Sequence, residues 1–174
     1  SDAPRSLIGK FGILISYNLF SRLALKNAGK IIAITPWENK FIERCGGDKE
    51  KIVNLPNGMS NEFLKKVKNN DFKKKNNLKK NVVLFFGRLS ETKRPDKFVE
   101  IAKLILKKRN NISFVIRGPD EGLRNKVKKM IDGEKDIILM NETRDRKEII
   151  KMYQASDIFV MPSYREGLPL SLFE

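Results

Sequence analysis

Two short stretches of this sequence collect residue types that bind anions and hydroxyl groups. The first reads Gly87-Arg88-Leu89-Ser90-Glu91-Thr92-Lys93-Arg94. A guanidinium offers a planar fork of donors to phosphate oxygens, and an ammonium adds a mobile point charge. Arg88 and Lys93 on one loop can therefore meet a single anion, and Gly87 permits close backbone approach where the loop begins. The second stretch reads Pro162-Ser163-Tyr164-Arg165-Glu166-Gly167-Leu168-Pro169-Leu170. Pro169 suits the first turn of a following helix, whose N–H groups near Gly167 and Leu168 would face outward as a phosphate site. Glu166 stands before that helix and Glu174 about one turn inside it. A carboxylate accepts two hydroxyl hydrogen bonds at once, a match for a sugar ring. Plainer readings stand beside these: an exposed basic loop, dipole compensation by Glu166, and a solvent-facing helical Glu174.

The elements that must position these loops follow from periodicity. Residues 11–25 read as an apolar helix and residues 30–34 as a short strand. Thr35, Pro36 and Glu38 then form a capping-box helix start, ended by Gly46 and Gly47. Residues 52–55 make a second short strand, closed by the turn Pro56-Asn57-Gly58. Residues 65–81, mostly Lys and Asn, read as a linker. Beyond them apolar strands at 82–86, 113–116, 137–140 and 158–161 alternate with amphipathic helices. The helical faces carry Phe98, Ile101, Ala102 and Ile105; then Leu123, Val127, Met130 and Ile131; then Ile149, Met152, Tyr153 and Ser156. This rhythm predicts an α/β fold with a Rossmann-like, open parallel sheet, whose ligands bind at the carboxyl ends of the strands. Both chemical loops fall at such ends.

Composition narrows the chemistry. The 174 residues hold 36 Lys and Arg against 21 Asp and Glu, a formal charge of +15. That bias favours anionic partners, namely nucleic acid, acidic lipid or a phosphate-bearing ligand, or else marks a solvated Lys/Asn face. Aromatics are not interleaved with the basic tracts as base-stacking platforms require, so nucleic acid is not expected as a partner. There is no histidine, which removes His-based metal sites and Ser–His or Cys–His pairs from this chain. Cys45 is the only cysteine, so no intrachain disulfide exists. No apolar run reaches membrane-spanning length; the longest candidate, residues 13–25, is interrupted by Ser16, Asn18, Ser21 and Arg22. The sequence opens at Ser1 and stops at Glu174 inside an expected helix, and both ends read as trimmed.

Taken together, the two loops are recognisable. The run "IFVMPSYREGLPLSLFE", with its Glu-x7-Glu spacing met by Glu166 and Glu174, resembles the signature of the family 4 retaining glycosyltransferases of GT-B fold. "VVLFFGRLSETKRPDKFVEIAK" is similar to that family's first donor-domain strand with its Arg and Lys. "KIIAITPWENKFI" and "IVNLPNGMSNEF" resemble segments that close the acceptor domain and cross to the donor domain. In two places the sequence departs from the pattern. Arg94 stands where a glycine commonly follows the lysine, and Pro119 with Asp120 replaces a tighter glycine pair.

The resemblance implies a division of the chain. Residues 1–56 would be a remnant of the acceptor domain and 57–81 a hinge and linker, with Asn57-Gly58 near the hinge. Residues 82–174 would be a nucleotide-sugar-binding domain, incomplete at its C-terminus. The implied activity is sugar transfer from a nucleotide diphosphate sugar to a glycan or lipid-linked acceptor, with retained configuration; the fragment alone is expected to be inactive. Gly87, Arg88 and Lys93 would hold the diphosphate, Glu166 would be the catalytic contact to the sugar, and Gly167, Leu168 and Pro169 would supply main-chain groups. Glu174 would hold the ribose, and the base would lie near Arg117, Gly118, Asn141 and Thr143. No metal or other cofactor is expected, because the cations and the helix end answer the charge of the leaving diphosphate. The expected location is cytoplasmic, with peripheral contact to anionic membrane. Competing readings are a GT-B relative, such as a glycogen-synthase-like enzyme or a nucleotide-sugar epimerase, and a basic nucleic-acid-binding module.

Overall fold

A computed structural model of the chain describes residues 20–68 and 70–174. Most of the helix expected over residues 11–25 lies outside them; the described part forms α1 (Arg22–Asn27). The chain divides into two units, Ser1–Gly58 and Met59–Glu174. No helix among the described residues is long and apolar enough to cross a membrane.

In the first unit, β1 (Ile31–Ala33) pairs in parallel with β2 (Ile52–Asn54), Ile31 opposite Ile52. Ile31 and Ala33 are buried and Ile32 is exposed, the alternation of a one-sided strand. The start at Thr35 opens a 3-10 turn, Pro36–Glu38, that runs into α2 (Asn39–Arg44). The expected capping box forms. The Glu38 carboxylate accepts the N–H groups of Ile34 and Thr35 at 2.8 and 3.1 Å. The buried Thr35 side chain faces the Glu38 N–H in the same box, without a hydrogen bond of standard geometry.

The second unit is a four-stranded parallel sheet in the order β5-β4-β3-β6, in which β3 is Asn81–Phe86, β4 Ile112–Arg117, β5 Ile137–Leu139 and β6 Ile158–Phe159. Between them run α4 (Pro95–Leu106), α5 (Arg124–Met130) and α6 (Arg146–Ala155). Strand side chains alternate between two cores. Phe85, Phe114 and Ile116 pack with Phe98, Val99, Ala102 and Val127 on one face, and Val82, Leu84 and Val115 pack with Met152 and Ala155 on the other. Helices on both faces make this the α/β, Rossmann-like open sheet that the rhythm predicts. In α4 the buried stripe includes Val99 rather than Ile101, which is 41% exposed. The last strand is shorter than 158–161, although Val160 still donates to Leu84 O at 2.8 Å.

The expected linker over 57–81 is corrected. Met59 onward belongs to the second unit, and α3 (Phe72–Lys75) buries Phe72 in the Val82–Leu84 core at 2% exposure. Around it Asn70 donates to Lys151 O at 2.8 Å, the Val67 N–H donates to Gln154, and Lys73 pairs with Asp157 at 2.9 Å. Burial of one phenyl ring contributes about 2 kcal/mol, enough to hold a short lysine-rich turn against the sheet.

The chain runs from β3 outward to β4 and β5, then returns across β3 to place β6 on its other side. The strand order therefore reverses between β3 and β6. In open α/β sheets, that reversal opens a crevice at the carboxyl ends of the two strands.

Candidate functional site

Both chemical loops line this crevice. Leaving β3, residues 90–94 turn back as Ser90 O accepts the N–H groups of Lys93 and Arg94, both at 3.1 Å. Leaving β6, the Tyr164 N–H donates to Thr92 O at 2.9 Å and ties the two loops together. Lys93 Nζ thereby reaches Glu166 Oε1 at 2.6 Å, with 19% and 25% of the two side chains exposed. Burial would raise the Glu166 carboxyl. Lys93 and the Ser163 hydroxyl beside it, with the more distant charge of Arg88, hold it instead below the usual carboxylate range. At neutral pH the crevice thus holds an ionised carboxylate and two cations.

Arg88 leans the other way. Its Nη1 donates to both oxygens of Glu121, at 2.9 and 3.2 Å. Glu121 sits there because the loops after β3 and β4 are joined along their backbones: Leu89 N–H donates to Pro119 O, and Leu89 O accepts Glu121 N–H. Gly118 shows how close they come. At φ +153°, a Cβ on Gly118 would stand 1.9 Å from Gly87 O. The position that cannot carry a side chain is therefore Gly118; a Cβ on Gly87 would meet only Phe85, at 3.9 Å. Gly118, next to the expected Arg117, is thus the glycine that the meeting of the two loops requires.

Arg94, the departure from glycine, adopts left-handed backbone at φ 56° and ψ 50° just before α4. Such a conformation costs a side-chain-bearing residue about 1 kcal/mol relative to glycine. Two contacts offset it: Nε donates to Asp96 at 3.3 Å, and the guanidinium lies 5.0 Å from the centre of the Tyr164 ring. Asp120, the other departure, accepts the N–H groups of Gly122 and Arg124 at 2.8 and 3.0 Å and so caps the approach to α5.

Pro169, expected in the first turn of a helix, stands at its N-cap instead. Pro169 has extended backbone at ψ 126°, and only a 3-10 turn, Leu170–Leu172, follows it. Glu174 N–H then donates to Leu170 O at 3.2 Å, an i→i+4 bond. Gly167 lies in open space, and Leu168 and Pro169 continue the loop. Glu174 lies near Tyr153, whose ring packs against Phe86 and Phe159 at the ends of β3 and β6. Burial, then the charge of Glu174, raises the Tyr153 phenol far above its ordinary value.

Glu166 and Glu174 share a peculiarity. Among the described residues of this unit, the buried side-chain polar atoms without a hydrogen bond of standard geometry are Ser163 Oγ and Tyr153 Oη. One lies beside each carboxylate.

The residues expected near a base are also brought together, by a network. Arg117, at the end of β4, donates to Asn141 O at 2.7 Å and to Glu148 at 3.0 Å. Thr143 donates to the other oxygen of Glu148 at 2.8 Å, and Arg124 donates to the Asn141 side chain at 2.9 Å. Arg117 is thus engaged within the protein. Sequence reading passed over Glu148, Glu121, Arg124 and Tyr153. An acidic residue in a helix first turn reads as dipole compensation, and no spacing marks a loop carboxylate. Among the described residues no group of three or more His, Cys, Asp or Glu side chains converges as metal ligands do.

An open parallel sheet with a charged crevice at its switch point is the architecture of the C-terminal domain of GT-B glycosyltransferases. The chain belongs to the family Glycosyl transferases group 1, whose model matches residues 66–174. It is 36% identical over 138 residues to an Escherichia coli UDP-Gal:alpha-D-GlcNAc-diphosphoundecaprenol alpha-1,3-galactosyltransferase, covering 73% of this chain and 34% of that protein. It is 26% identical to a D-inositol 3-phosphate glycosyltransferase of Paenarthrobacter aurescens, covering 84% and 38%. The chain spans about a third of the length of these relatives. In fold it resembles Anabaena HepE, solved with UDP and glucose, with a TM-score of 0.73 at 16% identity over 94% of this chain and 44% of that one. It also resembles WaaG, a glycosyltransferase of lipopolysaccharide biosynthesis, with a TM-score of 0.68 at 18% identity over 95% and 50%.

Proposed function

We propose that this chain is the donor-binding part of a glycosyltransferase that moves a hexose from a nucleotide diphosphate sugar to a glycan or lipid-linked acceptor. The observation that carries this reading is the Lys93–Glu166 contact at the switch point, with Arg88 near enough to bias the same carboxylate. Departure of the nucleotide puts negative charge on the diphosphate and cationic character on the sugar carbon. Arg88 and Lys93 answer the first charge from fixed positions, and Glu166 answers the second. Donor binding then exchanges partners, Lys93 passing from Glu166 to the diphosphate. The open space beside Gly87 and Gly167 leaves room for that group, Leu168 and Pro169 follow along the same loop, and Glu174 receives the ribose hydroxyls.

The transfer retains anomeric configuration, with the acceptor hydroxyl losing its proton late, towards the leaving phosphate. The chain's own cations supply the charge compensation, so no metal is required. The first unit is part of the acceptor-binding domain. The acceptor in the name of the Escherichia coli relative, a diphosphoundecaprenol lipid, supports a lipid-linked acceptor, and with the net charge of +15 it supports peripheral contact with anionic membrane. Liposome flotation with and without anionic lipid tests that contact; equal binding to both would contradict it.

A thermal-shift screen of UDP-, GDP- and ADP-sugars on the intact protein tests the function. Stabilisation by one nucleotide class, followed by an α-linked product from an α-linked donor, is expected. No shift with any donor would overturn donor binding, and an inverted product would overturn retention.

A further inference from the structure

We propose that Glu148 is a positioning residue for nucleobase recognition: through Arg117 and Thr143 it holds the 140–143 loop in the one conformation against which the donor's base is read. This rests on the donor-binding function above and deepens it.

The 140–143 loop leaves β5 at the carboxyl edge of the sheet, beside the end of β4. Side chains from three other elements hold it. Arg124, from α5, donates to Met140 O at 3.3 Å and to the Asn141 side chain at 2.9 Å. Arg117, from β4, donates to Asn141 O at 2.7 Å. Glu148, from the first turn of α6, accepts Thr143 Oγ1 at 2.8 Å, while that oxygen accepts Asp145 N–H at 3.1 Å. Residues 140, 141 and 143 are thus each fixed from outside the loop.

Glu148 is the node of this arrangement because both of its oxygens are used, one by Arg117 and one by Thr143. The Arg117 side chain is only 7% exposed, and a guanidinium so enclosed needs a charged partner. Hydrogen bonding from Arg117, opposed by burial and aided by Thr143, keeps the Glu148 carboxyl below its ordinary range and therefore charged at neutral pH. A loop so held loses little freedom when a ligand binds. Its main-chain groups then discriminate between ligands by position, because a base that does not match leaves polar groups unpaired. A purely structural network would affect folding and leave the choice among bases untouched.

Calorimetry on the intact protein with inorganic pyrophosphate, UDP, GDP and ADP separates the two. Glu148→Gln is expected to leave pyrophosphate affinity within about twofold, while narrowing the ratio between preferred and disfavoured nucleoside diphosphates by about tenfold. Thr143→Val narrows the ratio less, and Thr143→Ser, which keeps the hydroxyl, restores it. A folded Glu148→Gln protein with an unchanged ratio overturns the proposal. Should that variant melt below the assay temperature, an unchanged ratio in Thr143→Val overturns it equally. A wild-type protein that binds these nucleotides without preference overturns this inference alone. One that binds neither pyrophosphate nor any nucleoside diphosphate overturns donor binding, and this proposal with it.

Discussion

At the crevice between β3 and β6, Lys93 and Arg88 each hold one carboxylate, in pairs whose side chains keep between 19% and 55% of their surface in water. At the end of β4, Arg117 keeps 7% and its partner Glu148 36%, and Arg117 donates to both a backbone carbonyl and Glu148. One region pairs its charges loosely, in contacts that water screens and an incoming anion can replace. The other commits its charge to the protein. An ion pair partly open to water contributes about 1 kcal/mol or less, whereas removing a cation that also holds a backbone carbonyl leaves two acceptors unpaired and costs more. The same residue types therefore serve exchange at one edge and rigidity at the other, and the number of protein groups that each cation holds decides which.

The contrast can be broken most sharply at the glycines. Gly118→Ala would drive a Cβ into Gly87 O, and we expect a loss of about 3 kcal/mol or more in chemical denaturation. Gly87→Ala, with open space before it, should change stability by less than about 0.5 kcal/mol while weakening nucleotide binding. A comparable loss of stability in both would show that the loops do not meet as described.

Next in size are the cations. Arg117→Met should cost about 2–3 kcal/mol, because it strands Glu148 and releases the Asn141 carbonyl. Lys93→Met should cost less than about 1 kcal/mol. Equal costs in denaturant melts would erase the distinction between the two regions.

Acid should loosen the second unit. The carboxyls of Asp96, Glu148, Asp157 and Glu166 all lie below their ordinary values of 3.8 and 4.5 in the folded chain. Over that window the unfolded chain binds more protons, so stability is complete above about pH 5 and falls as pH drops through the folded values. Glu148→Gln should flatten part of this slope, which urea melts between pH 6 and pH 3 would reveal.

Arg94→Gly should have the smallest effect, within about 0.5 kcal/mol, because relief of left-handed backbone offsets the lost contacts to Asp96 and Tyr164. A loss above 1 kcal/mol would mean that those contacts outweigh the strain.

The sheet was legible because Val82, Leu84, Val115 and Ile116 form apolar runs between amphipathic helices, and that pattern has few other solutions. The meeting of Lys93 and Glu166 followed from topology, since both loops leave strands at the reversal point. Phe72 was not legible: one aromatic in a lysine tract has no period, and only the finished sheet offers it a place. The pairing of Arg117 with Glu148 was hidden for the same reason, because it depends on two elements 31 residues apart meeting at one edge. At Pro169 the local start signal was displaced by one residue: Pro169 stands before the turn Leu170–Leu172 rather than within it.

The central claim is that Arg88 and Lys93 share one diphosphate with Glu166 at its border. Calorimetric titration of the intact protein with its preferred nucleoside diphosphate, in wild type, Arg88→Ala and Lys93→Ala, tests it most directly. Each substitution should weaken binding by about tenfold or more, the loss of a charge-assisted contact, with little change in melting temperature. Wild-type affinity in both variants would contradict the account.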